Sequence, residues 1–118
     1  MKFTFEKNPV TGHPTAQFQA KLVSELSENV LQNSNKKNYR ICTVEFENSK
    51  GEIQRASAAI YEGNYSKGVT VGKTYLTQVS IVNGQAYLQM SHLENAARAT
   101  ADAFGFEVEV TEGVLAAQ

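Results

Sequence analysis

A single cysteine, Cys42, excludes an intramolecular disulfide, and with it the stapled scaffold of small secreted domains. Two histidines, His13 and His92, stand far apart with no cysteine or carboxylate at ligand spacing, so no zinc site is expected. The same scarcity leaves no Ser-His-Asp set to assemble, and His92 reads as a surface residue rather than a base. No apolar run approaches the roughly 20 residues of a membrane span. The opening MKFTFEKNPV is too short and too polar for a secretory leader, so a cytoplasmic location with no membrane association is expected. Tryptophan is absent altogether. No catalytic residues, metal or cofactor are expected, and an enzyme is the least favoured class.

What is present reads as one domain. At 118 residues and 42% hydrophobic content the chain is large enough to bury its own core. The net charge of −1 conceals an asymmetry. Between Lys36 and Tyr75, seven basic side chains face four acidic ones, whereas the remainder carries four basic and eight acidic. A basic centre with acidic flanks can bind a polyanion locally in a protein that is not basic overall; scattered surface charge is the plainer account.

The block from Tyr39 to Ser91 reads as two β-hairpins. YRICTVEFEN turns at Asn48-Ser49-Lys50-Gly51 and returns as EIQRASAAIY. KTYLTQVSIV turns at Asn83-Gly84 and returns as QAYLQMS, and Asn-Gly between alternating strands is the strongest short hairpin signal. Cys42 shares a register with Val44 and Phe46, which predicts a buried structural thiol. Leu88, Met90 and Ala86 are expected to face the core. Upstream, Phe18, Leu22, Leu26 and Val30 fit one face of a helix, while Phe18, Ala20, Leu22 and Leu26 fit a strand. The β-rich context favours the strand. Residues 1–14 read as an arm with turns at Asn8-Pro9 and Gly12-His13-Pro14. After Ser91, with Glu94 completing a capping box, a C-terminal helix is predicted over 92–104, ended by Gly105, with a tail over 106–118.

The loop GNYSKGVTVG has glycines at 63, 68 and 72 but lacks the Gly-Lys-Ser/Thr ending of a phosphate-binding loop and links strands rather than feeding a helix. Its neighbours are more informative. Tyr61, Tyr65, Tyr75 and Tyr87 interleave with Arg40, Arg55, Lys67 and Lys73. Single-stranded nucleic acid binding needs ring faces for bases and cations along the backbone path, and this set supplies both. Tyrosines half-buried in strands with wet hydroxyls are the competing explanation.

The order FQAKLVSEL, YRICTVEFEN, EIQRASAAIY, VGKTYLTQVSIV, QAYLQMS, with Gly72-Lys73-x-Tyr75 opening the fourth strand, resembles the oligonucleotide-binding (OB) fold and, within it, single-stranded-DNA-binding proteins. The resemblance covers residues 16–91. It implies a mostly β, five-stranded OB-like barrel, followed here by the C-terminal helix. It also implies non-enzymatic binding of single-stranded nucleic acid, DNA in particular; the interleaved set above names the expected contacts, and a homo-oligomer is a further expected partner. The chain departs from the family in having only EGNYSKGVTV where a helix joins the third and fourth strands, and in ending VLAAQ. The alternative is a protein-interaction or assembly module without nucleic-acid affinity, supported by the near-neutral charge and by Ile53, Val79 and Ile81 on a sheet face.

Overall fold

The computed structural model describes residues 3–9 and 11–94. They form a mostly β structure in which seven strands join one sheet, with a single helical turn. In chain order these are β1 (Glu6–Lys7), β2 (Pro14–Leu22), β3 (Leu31–Gln32), β4 (Asn38–Glu47), β5 (Ile53–Tyr61), α1 (Glu62–Tyr65), β6 (Thr74–Val82) and β7 (Gln85–Met90). The order across the sheet is β1-β2-β6-β7-β5-β4-β3, and β2 also pairs β4 through Lys21↔Glu45 and Leu22↔Val44. Every pairing is antiparallel except β5 with β7, which run parallel.

The strand reading of the ambiguous segment holds as far as Leu22. Ala16, Phe18, Ala20 and Leu22 are buried while Gln17 and Lys21 are exposed, the period of a strand with one dry face. The four-residue recurrence that suggested a helix is a multiple of two, so it satisfies both periods. After Leu22 the chain leaves regular structure but stays beside β4: Val23 N donates to Thr43 O, and Ser27 N to Ile41 O. Leu26 packs against the core from this stretch, while Val30 is exposed.

The first hairpin is pinned by its turn. Asn48 Oδ1 accepts from the main-chain N–H of Lys50 (2.9 Å) and of Glu52 (3.0 Å), and Gly51 takes a positive φ of 83° that a side chain would resist. This fixes nine pairs from Tyr39↔Tyr61 to Glu47↔Ile53. In the second hairpin Asn83 and Gly84 both have positive φ, the requirement of a tight two-residue turn matched to strand twist.

The main core joins Phe18, Leu22, Val44, Ile60, Tyr75 and Met90 with other buried side chains. Leu88 and Met90 face it as expected, but Ala86 is exposed, because β7 separates from β5 before reaching it. Val79 and Ile81 pack into the same core, which leaves Ile53 as the open member of that apolar trio. Cys42 is buried, its Sγ 3.6 Å from Ala58 O, and burial pushes its thiol pKa up to about 12.

The expected capping box does not form. Ser91 is fully buried; its Oγ donates to Leu76 O (2.9 Å) and accepts from Leu93 N (3.2 Å). Glu94 turns instead to Lys73. Residues 92–94 are irregular, and the rest of the helix predicted over 92–104, like the tail over 106–118, lies outside the described residues.

Candidate binding face and cleft

The eight side chains singled out by sequence separate into four settings. Tyr75 is 2% exposed inside the main core, and its hydroxyl accepts from Thr70 N at 2.6 Å. Tyr61, 3% exposed, belongs to a second cluster with Tyr39 and Ala59, against which Ile41 and Tyr87 pack. The rings of Tyr39 and Tyr61 lie 5.3 Å apart, directly paired across β4 and β5. Neither Tyr61 nor Tyr75 offers a free ring face to a base. Tyr87 is half-buried, with its hydroxyl donating to Gln85 Oε1.

The α1 end holds the third group. The Arg40 guanidinium lies 4.8 Å from the centre of the Tyr65 ring, a cation–π contact, and Nη1 reaches Ser27 O at 3.5 Å. Lys67 is exposed just beyond α1. It faces His92, whose proton affinity is lowered by burial and then by the Lys67 charge. The remaining cations are engaged in ion pairs: Arg55 Nε with Glu45 Oε1 at 3.0 Å, and Lys73 Nζ with Glu94 Oε2 at 3.5 Å. The structure therefore brings Arg40 to Tyr65 and Tyr61 to Tyr87, and sinks Tyr75 into the main core, against which Tyr65 packs.

Sequence reasoning missed a cleft of about 610 Å³. Its floor is aromatic. Phe3 and Phe46 each pack against Phe18 with ring centres 5.1 Å apart and planes tilted by 56°, and Phe5 meets Phe3 edge-on at 6.3 Å. Ala56 and Ser57 of β5 and Ala86 and Tyr87 of β7 form its walls. No charged side chain lines it among the described residues. The alternation Phe3, Phe5 was visible in sequence, but nothing local says that this arm folds beneath Phe18 and Phe46.

Among the described residues no three of His, Cys, Asp and Glu gather closely enough to hold a metal ion. No helix among them is long and apolar enough to cross a membrane. Comparison with protein-family models, curated proteins and solved structures gives no match.

Proposed function

We propose that this chain is a non-enzymatic, cytoplasmic module that binds single-stranded nucleic acid, DNA in particular, on a five-stranded OB-like barrel. The observation that carries the reading is the connectivity. With β2, β4, β5, β6 and β7 taken as strands one to five, the pairings run 1-2-3-5-4, the 1-2 step resting on Lys21↔Glu45 and Leu22↔Val44, and return to 1 through the β6–β2 ladder, with a single parallel pair between strands three and five. In OB modules the face of strands two and three and the loops beside it carry oligonucleotides. The counterparts are the outer face of β4 and β5, the loop between β2 and β4, and the Asn83-Gly84 turn. A fold licenses many functions, so the reading also leans on side chains at that face.

Those side chains are four of the eight expected ones, Arg40, Tyr65, Lys67 and Tyr87, joined by Lys36 and Lys37. Tyr87, with part of its ring exposed, supplies a stacking surface beside the small residues Ser57 and Ala59. Tyr65 with Arg40 supplies a second, already carrying a cation. The exposed Lys36, Lys37 and Lys67 serve as phosphate contacts. The free, buried Cys42 thiol is in keeping with a reducing compartment.

The test is a fluorescence-anisotropy titration with an oligo-dT of about 15 nucleotides across a salt series. Three neutralised phosphates give a log–log salt slope of about −2 on a single strand. Binding no tighter than about millimolar at low salt would overturn the proposal.

A further inference from the structure

The parallel ladder between β5 and β7 stops short. Its register is Ala58↔Leu88 and Ala59↔Gln89, yet β5 begins at Ile53 and β7 at Gln85. Continued downward, that register would pair Ser57 with Tyr87, Ala56 with Ala86 and Arg55 with Gln85. None of these pairs forms, although β5 stays bonded to β4 and β7 to β6 over the same residues. The two strands diverge, and each turns an unpaired edge toward the other among the described residues. The aromatic cleft lies between those edges.

We propose that this cleft binds an extended peptide segment of a protein partner, which adds its backbone to the edges of β5 and β7 and seats alternate apolar side chains on the phenylalanine floor. Unpaired strand edges are templates for a further strand, and main-chain hydrogen bonds supply affinity while alternate side chains supply selection. The floor of Phe3, Phe5, Phe18 and Phe46 accepts the apolar side chains, and the small Ala56, Ser57 and Ala86 leave room between the walls. The volume falls within the range of about 300–1,000 Å³ usual for binding clefts. Natural edges are blunted by charge or proline. Here the β5 edge carries one charge, Arg55, which Glu45 neutralises, and no proline. Beside it Ile53 stands 68% exposed and Phe5 42%, apolar surface that a partner would cover. The uncharged lining disfavours a polyanion, so the seated positions of the peptide are uncharged too.

The test uses the full chain, ¹⁵N-labelled, and two capped seven-residue peptides. One alternates valine or phenylalanine with threonine; the other has the same sequence N-methylated at every second amide. The first gives saturable shifts at the amides of residues 53–57 and 85–87 and slows hydrogen exchange there. The methylated peptide binds at least about tenfold more weakly because it cannot complete the ladder. Ala86→Trp, at an exposed wall position, removes the response while leaving the unfolding midpoint in place. Equal binding of the two peptides would overturn the proposal, as would shifts confined to other regions or no saturable shift by about 1 mM peptide. Full exchange protection at 53–57 and 85–87 before peptide is added would overturn it as well. Shifts caused by oligo-dT at the floor residues Phe3, Phe5, Phe18 and Phe46 would assign the cleft to nucleic acid and likewise overturn it.

Discussion

One oxygen of Asn64 receives His92 twice. The His92 main-chain N–H donates to Asn64 Oδ1 at 3.1 Å, and the ring Nδ1 lies 2.7 Å from the same atom. For the ring contact to be a hydrogen bond, Nδ1 carries the proton in the neutral ring and Nε2 is left as its acceptor. Asn64 is itself buried in α1, directly after β5, so this pair ties the chain after β7 to that helical turn.

Acid costs stability at this site without removing that bond, because the protonated ring keeps its Nδ1–H while its charge is disfavoured by burial and by Lys67. Burial, and then the Lys67 charge, lower the His92 pKa below its ordinary 6.5. The unfolded chain therefore takes up this proton at a higher pH than the folded one, and stability is lost as pH falls below the ordinary imidazole value of 6.5 toward the lower folded one. Urea midpoints measured above and below that value show the loss, and His92→Gln flattens this part of the profile.

Burial protects Cys42, both by closing it to reagents and by pushing its thiol pKa up to about 12. Alkylation of the native protein at mildly alkaline pH proceeds through the globally unfolded state, and denaturant speeds it in step with the unfolded fraction. Cys42→Ser sets a hydroxyl in the same apolar surroundings and costs about 1–3 kcal/mol by chemical denaturation.

The Asn48 turn has two separable supports. Asn48→Ala removes the acceptor for Lys50 N and Glu52 N, and Gly51→Ala forces a side chain to φ +83°. Each costs about 1–2 kcal/mol, read as a shift in urea midpoint at constant m.

Tyrosine replacements distinguish structure from binding. Tyr75→Phe deletes the acceptor for Thr70 N and costs about 1 kcal/mol of stability without changing oligo-dT affinity. Tyr87→Ala lowers oligo-dT affinity by about 1–3 kcal/mol in the anisotropy titration. Its effect on stability is smaller than that of truncating the buried Tyr61.

The Glu45–Arg55 pair contributes little to folding because Arg55 is largely exposed. Arg55→Ala shifts the unfolding free energy by less than about 1 kcal/mol. If Arg55 leaves Glu45 for a phosphate, the same change reduces the salt slope of oligo-dT binding by about 0.7.

Both hairpins were legible because their turns announce themselves. Asn83-Gly84 and the Asn48–Gly51 loop each fix a register locally, and β2 was legible once Ala20 was weighed against the four-residue spacing. The capping box was not, because Ser91 serves Leu76, a partner across the β6–β7 ladder that no local rule reveals. The tyrosines mislead for a related reason. Strand alternation assigns Tyr61 and Tyr75 to a face, but whether a face is wet depends on what packs across it. Tyr39 covers Tyr61, and the core surrounds Tyr75. The cleft was least legible, since it results from β5 and β7 parting after two residue pairs, a relation between strands that are not consecutive in the chain.

The ladder between β2 and β6 sets a schedule for synthesis. Thr15 pairs with Ser80 and Lys21 with Thr74, so β2 is made long before its neighbour exists. The β4–β5 hairpin closes locally and early, whereas this ladder waits for the second half of the chain to leave the ribosome. Until then Phe18 and Ala20 have no β6 beside them. The glutamines and lysine at 17, 19 and 21, interleaved with those apolar positions, keep the waiting strand from being apolar on both faces.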